Sequence, residues 1–266
     1  MRAALSLLLP AALLVGCVSD IRPRGMEDVV SSDDAARGRA LLEASAEAHG
    51  GLERWSSMAR AELEMSDYWP STMMRKMATP LPANEVSYVA TFVPGSGFIS
   101  DLAFTGEHAG EGAGVEGEWQ YHVRDGERES ASGAAYDVYP PSIQWFSEFP
   151  FRILEADVVA WAGQQTIDGR AYDRVYATWG EAKPNKSIDQ YVVYLDAETH
   201  ELGFVEYTVR TMMPFASAAI TFEELEDVDG LLLPTRLVVI NKLENRDKKP
   251  LHLLTVHEAR FYEEMN

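Results

Sequence analysis

The sequence predicts a mainly β protein with a few helices, its strands joined in one antiparallel sheet, and three observations carry that expectation. From Ala59 onward apolar residues recur at every second position. Asp-Gly dipeptides stand between runs at Asp125-Gly126, Asp168-Gly169 and Asp229-Gly230. No Pro/Ser-rich linker divides Ala59 from Tyr262. Period-two alternation marks strands with one greasy face and one wet face. Asp-Gly is the kind of dipeptide that closes a tight hairpin.

The elements follow in chain order. Val18 to Ser32 has little periodicity and contains Pro23 and Gly25, so residues 17–32 read as a tether. Ser31-Ser32-Asp33-Asp34 offers N-cap oxygens to a helix over Ala35–His49, and Gly50-Gly51 stops it. Leu52–Trp55 reads as a further helical turn. Strands are expected at Ala59–Trp69, around Val86–Phe92, Phe98–Phe104 and Trp119–Val123, and then at Val158–Thr166, Arg170–Trp179, Asp189–Leu195, Glu201–Arg210, Ala218–Leu225, Leu231–Asn241 and Leu251–Tyr262. The roughly eleven strands form a single domain, residues 33–266. One segment interrupts them: Pro140–Phe151 carries Ile143, Phe146 and Phe149 at helical spacing, with Pro150 placed to end or kink a helix. It reads either as a plug in one end of the core or as a lid over an apolar cavity.

Composition excludes several partners. Against 23 Lys+Arg stand 42 Asp+Glu, a formal net charge of −19 over 266 residues. Nucleic-acid binding rests on cations that neutralise phosphates, and adhesion to anionic membranes rests on basic patches; a balance this acidic disfavours both. The single cysteine, Cys17, rules out an internal disulfide framework and any multi-cysteine metal site.

The position of that cysteine is informative. Arg2 precedes an apolar run, Ala3–Val15, that is too short to span a bilayer, which takes about 20 residues. It reads as a signal-peptide core. Leu14-Val15-Gly16-Cys17 resembles the lipobox of bacterial lipoproteins. That resemblance implies removal of residues 1–16 and a diacylglycerol and acyl (palmitate-type) anchor on Cys17. Val18, where inner-membrane retention would place Asp, favours the periplasmic face of the outer membrane, and Asp20 leaves the inner membrane as the alternative.

A second resemblance concerns the fold. Ala48-His49-Gly50-Gly51-Leu52-Glu53-Arg54-Trp55 runs into a first strand. Ile167-Asp168-Gly169-Arg170-Ala171-Tyr172, Tyr194–Leu202 and Glu226–Pro234 form hairpin signatures downstream. Together they resemble the outer-membrane lipoprotein-sorting (carrier-like) superfamily over about Ala35–Tyr262. The resemblance implies a strongly curved antiparallel sheet, a half-open β-barrel, with helices packed on or closing its concave side. It also implies a cavity that accepts lipid or lipoprotein acyl chains. Soluble carriers of that superfamily lack a lipid anchor, so Cys17 points to a stationary acceptor rather than a shuttle. The candidate lining residues are Leu63, Met65, Trp69, Tyr88, Phe92, Phe98, Phe104, Trp119, Tyr121, Trp145, Phe146 and Phe149. The plainer alternative is that these side chains only fill a core.

Other motifs carry less. Gly112–Gly117 fits G-x-G-x-x-G, but Glu107, Glu111 and Glu116 surround it and a strand follows, so it reads as a flexible loop rather than a phosphate cradle. His252 and His257 fall on opposite faces of a strand and cannot share a metal. His49, at a helix C-terminus, is placed where a cation complements the dipole. Acid pairs such as Glu223-Glu224 and Glu226-Asp227 are too common here to be diagnostic, and Asn185-Lys186-Ser187 is a chance sequon. No cofactor, metal or catalytic residue is expected. The leading expectation is a lipid-anchored periplasmic protein that binds a hydrophobic ligand. An envelope interaction lipoprotein with a filled core comes second, its protein partner unspecified, and a hydrolase using an acid pair comes third.

Overall fold

The computed structural model describes residues 18–263; the expected signal peptide, residues 1–16, and the expected lipidation site Cys17 lie outside the described residues. The chain opens with helix α1 (Ser32–Ala48) and helix α2 (Leu52–Ser57), followed by β1 (Arg60–Tyr68), helix α3 (Thr72–Ala78), β2 (Glu85–Phe92), β3 (Ile99–Phe104), β4 (Gly112–Glu116), β5 (Trp119–Arg124) and β6 (Glu127–Ser130). Helices α4 (Ala134–Ser147) and α5 (Phe149–Arg152) come next. The remaining strands are β7 (Val158–Ile167), β8 (Arg170–Thr178), β9 (Gln190–Asp196), β10 (Leu202–Thr208), β11 (Ser217–Val228), β12 (Leu231–Ile240) and β13 (His252–Tyr262). All thirteen strands form one antiparallel sheet in the order β6-β5-β4-β3-β2-β1-β13-β12-β11-β10-β9-β8-β7. The sheet is curved and unclosed, and β6 and β7 are its free edges. It is a half-open barrel.

Two wings meet where β1 pairs with β13, Leu63 opposite Ala259 and Tyr68 opposite Leu253. The N-terminal wing alternates cleanly: Ala61, Leu63 and Met65 are buried on β1 while Glu62 and Glu64 face water. In the C-terminal wing every residue of β9 is buried, Gln190 to Asp196. The difference is coverage. There, Tyr172, Tyr176, Val192, Tyr194, Ala219, Val238 and Ile240 form a second apolar cluster on the convex face, covered by Leu243, Ile21, Met26 and Val30. A strand buried on both faces reads as a continuous apolar run.

That cover corrects the expectation of a free tether. From Ser19 onward the segment is strapped to the body. The Ser19 amide donates to the Pro214 carbonyl at 3.1 Å, its hydroxyl to the Phe215 carbonyl at 2.5 Å, and the Ile21 amide to Gln190 Oε1 at 3.2 Å. Ile21, Met26 and Val30 supply the apolar area that makes docking favourable over a solvated leash.

Helices occupy the concave side. α1 lies against β7 and β8, and its close approach depends on Gly38: a Cβ there would stand 2.8 Å from the Trp161 amide nitrogen. The Gly112–Gly117 motif is also corrected, because it is no loop but strand β4, buried from Gly112 to Val115. Its glycines are needed because a Cβ on Gly114 would strike the Tyr121 ring and hydroxyl and stand 2.7 Å from the Ser100 carbonyl. The aromatic helix begins six residues before the expected Pro140, at Ala134, and runs through both Pro140 and Pro141. It breaks at Glu148, and Pro150 sits in the first turn of α5, where its missing N–H costs no helical bond. His49 is corrected as well. It caps α1 with its Nδ1 3.0 Å from the Ser45 carbonyl, but it is 1 % exposed, and burial depresses its pKa, so the ring is neutral there rather than a cation.

Candidate functional site: the plugged concave face

The register decides which side chains face inward. Leu63 and Met65 on β1 stand opposite Ala90 and Tyr88 on β2; Tyr88 and Phe92 stand opposite Phe104 and Ser100 on β3. Leu63, Met65, Tyr88, Phe92, Phe104 and, just beyond β1, Trp69 therefore belong to one buried cluster with the helices. α4 contributes Tyr139, Ile143, Trp145 and Phe146, and α5 contributes Phe149. Their rings interlock with the C-terminal wing: Phe146 lies 4.9 Å from Tyr207, Trp145 5.7 Å from Tyr191 and Phe149 6.1 Å from Phe222, centroid to centroid. Phe98, in the β2–β3 connection, is 36 % exposed at the rim, 6.4 Å from Trp145.

Trp119 and Tyr121 are a correction. They share a face with Gly114 and Asp101, while His122, between them and Val123, points inward to Tyr136 of α4. Both rings therefore lie on the convex face, tilted against one another at a centroid distance of 4.8 Å, with Arg128 over Tyr121 and the Tyr121 hydroxyl donating to Asp101 at 2.8 Å. Alternation gave their common face but not which side of the sheet that face was. Sequence reasoning also left out Trp55, Tyr139, Tyr191, Tyr207 and Phe222 of the same interior. The alternation Tyr191, Val193, Leu195 was a signal that could have found the first β9 tyrosine.

The hollow is filled. Leu63, Met65, Trp69, Tyr88, Phe92, Phe104, Phe146 and Phe149 are all at or below 9 % exposure. The half-barrel is occupied by its own aromatic plug, and a chain-like ligand would fit only where α4–α5 gives way. Depressions of about 340 and 380 Å³ lie elsewhere, one beneath Arg246 on the convex face and one along the strap at Pro23–Val30.

Two buried carboxylates hold the plug. At the α4–α5 junction Glu148, fully buried, accepts from four donors. These are Arg152 Nε at 2.7 Å, Gln144 Nε2 at 2.9 Å, Trp55 Nε1 at 2.9 Å and the Gly95 amide at 2.9 Å. At the other end of α4, Asp67, also fully buried, accepts from the Tyr139 hydroxyl and from Trp69 Nε1 at 3.0 Å. Its second oxygen lies 3.2 Å from His252 Nδ1, whose ring stacks on Trp69 at 4.1 Å. Burial first, and then the Asp67 charge, push the Tyr88 and Tyr139 phenols well above their usual range, so both remain O–H donors. Sequence reading passed over Asp67, although its parity with Leu63, Met65 and Trp69 put an acid on the greasy face.

Among the described residues no group of three or more His, Cys, Asp or Glu side chains is placed to hold a metal. His252 and His257 are on separate faces, the latter 2.8 Å from the Ser66 hydroxyl. The acid pairs do not converge on a nucleophile; Glu223 is engaged by Thr221 and Arg236.

A curved, unclosed antiparallel sheet with helices in its concavity defines the class: an open half-barrel. No protein-family model matches the chain, and no curated protein sequence matches it. Solved structures do. A domain from Vibrio parahaemolyticus described as an outer membrane lipoprotein-sorting protein superposes with a TM-score of 0.55 at 12% identity, covering 85% of this chain and 93% of that one. A DUF1329 family protein from Desulfovibrio piger gives 0.55 at 13% identity, over 86% and 93%. A LolA superfamily protein from Nitrosomonas europaea gives 0.51 at 10% identity, over 86% and 94%. The chain has the fold of the lipoprotein-sorting superfamily; likeness at this identity speaks for the fold alone.

Proposed function

We propose that this chain is a lipid-anchored bacterial envelope protein that holds a hydrophobic ligand, a lipid or a lipoprotein acyl chain, between its half-barrel and the α4–α5 plug. The observation that carries the reading is the concave face itself, an aromatic and aliphatic surface closed by one helical segment. The solved lipoprotein-sorting domain of the same fold supports it. In this reading α4 swings at its Asp67–Tyr139 end, the ligand chain takes the place of Phe146 and its neighbours, and removal of apolar area from water, at about 25 cal/mol per Å², drives uptake. Acylation of Cys17 would hold the protein at the periplasmic face of the outer membrane, or of the inner membrane as the alternative. That makes it a stationary binder with no catalytic step.

The test is extraction of the purified protein for mass spectrometry, followed by titration with a fluorescent fatty acid. A co-purified lipid, or saturable uptake, supports the reading. A clean extract with no uptake sinks it. The filled interior favours a second reading, an envelope interaction protein whose half-barrel is simply its core. That reading predicts no uptake and a specific crosslinked partner.

A further inference from the structure

The charge of the molecule is unevenly placed. The pairing register puts six connections at one edge of the sheet: 105–111 and 125–126 at its N-terminal end, then 69–84 between β1 and β2, 241–251 between β12 and β13, 209–216 between β10 and β11, and 179–189 between β8 and β9. The chain has six lysines, and all of them fall in three of the six: Lys76 in 69–84, Lys183 and Lys186 in 179–189, and Lys242, Lys248 and Lys249 in 241–251. All six are exposed. Among the described residues no ion pair involves a lysine, whereas nine arginines are paired. Arginine holds this fold together, and lysine is left over.

The same edge carries exposed apolar groups. On α3, Met73 and Met77 are 68% and 52% exposed, and in the 209–216 connection Phe215 is 59% exposed beside the half-exposed Met212 and Met213. Residues 69–84 and 209–216 contain no carboxylate, in a chain that has 42. Glu181 and Asp189 lie in 179–189, Glu244 and Asp247 in 241–251, and Glu107, Glu111 and Asp125 at the N-terminal end of the edge. The middle of 241–251 folds over the convex face, where Arg246 pairs with Asp168. The opposite edge is acidic, with Asp168, Asp196, Glu198, Glu201, Asp227 and Asp229 at its turns. The strap also ends at the lysine edge: Ser19 is bonded to the Pro214 and Phe215 carbonyls, so the chain leaves toward Cys17 beside the exposed phenylalanine.

We infer that this edge is a docking face for an anionic phospholipid bilayer, with Phe215 and the methionines entering the interface and the lysines facing the headgroups. Flexible methionines and an aromatic ring suit an irregular apolar boundary, and lysine ammoniums are attracted to an anionic surface within about one Debye length. The acidic far edge, repelled by the same surface, fixes the orientation. Net charge hides this face. The proposal rests on the anchor at Cys17 only for keeping the protein near the membrane.

The test uses the full lipidated chain in vesicles of phosphatidylethanolamine and phosphatidylglycerol at three to one, with some lipids carrying a nitroxide quencher. Thr211→Cys at the lysine edge and Glu198→Cys at the far edge are each labelled with an environment-sensitive fluorophore. The expected result is quenching and a blue shift of the Thr211 label alone, with docking reduced on the order of fivefold for each lysine changed to glutamate among Lys183, Lys186, Lys248 and Lys249. Equal quenching of both labels, or none at Thr211, overturns the proposal, and so does indifference to the lysine changes. A wild-type chain that itself takes up label has a free Cys17. That overturns the anchor and not the docking, which is then read with Cys17→Ser in the same vesicles.

Discussion

Glu148 and Asp67 sit at opposite ends of one helix, both fully buried, and they are satisfied in opposite ways. Every group facing Glu148 is an obligate donor: a guanidinium, an indole N–H, an amide NH2 and a backbone N–H. Around Asp67 one oxygen meets a phenol and an indole, but the other meets an imidazole, which can donate or accept. The first arrangement demands a negative charge. The second tolerates a neutral acceptor. A helix bolted at one end and latched at the other has a natural direction in which to open.

Substitutions can break this contrast. The largest effect is expected for Glu148→Ala, which removes the buried acceptor of Trp55, Gln144 and the Gly95 amide and leaves Arg152 only the exposed Glu155 and the Ser96 carbonyl: a loss of about 3–5 kcal/mol of folding stability, read from denaturant unfolding. Glu148→Gln is expected to recover little, because its NH2 must face donors. Asp67→Asn, by contrast, can present its NH2 to His252 and is expected to cost about 1 kcal/mol. Equal losses for the two amide substitutions would abolish the distinction between bolt and latch. Tyr139→Phe removes one donor from Asp67, for an expected loss of about 1–2 kcal/mol. It should also speed uptake of a fluorescent fatty acid, while Trp55→Phe at the other end should not.

The smallest effect is expected at His49, which meets burial by giving up its charge rather than by finding a counter-ion. Its depressed folded pKa means that the unfolded chain takes the proton first, near pH 6.5. Stability is therefore complete above that value and falls as the pH drops toward the folded pKa, with a slope of at most about 1.4 kcal/mol per pH unit. His49→Gln should flatten that part of a stability–pH profile.

The sheet was legible where one face is wet. β1, β2 and β3 announce themselves by alternation, and the hairpin turns by Asp-Gly. What was hidden had physical causes. β4 is built from glycines because Tyr121 and the Ser100 carbonyl press on it, so it has no apolar pattern to read. β6, Glu127–Ser130, is wholly exposed and carries no burial signal. α3 lies between Pro70 and Pro80 and was masked by them, although Ser71 caps it by accepting from the Met74 amide. α4 crosses two prolines at a cost that the burial of Tyr139, Ile143 and Phe146 offsets. Of the candidate site, the aromatic stock was visible in the sequence. The side of the sheet on which Trp119 and Tyr121 stand was not, and neither was the carboxylate latch.

Because the plug is made from the same rings that form the core, opening the half-barrel is a local unfolding event. Phe146 and Phe149 cannot leave Tyr207 and Phe222 without surrendering part of what keeps the whole domain folded. In the proposed reading, occupancy and thermal resistance are then coupled through mass action: a bound chain would raise the melting temperature with the logarithm of its concentration. Mild denaturant, which ordinarily weakens binding, would quicken loading. In that reading the margin of stability would itself be a setting of the gate.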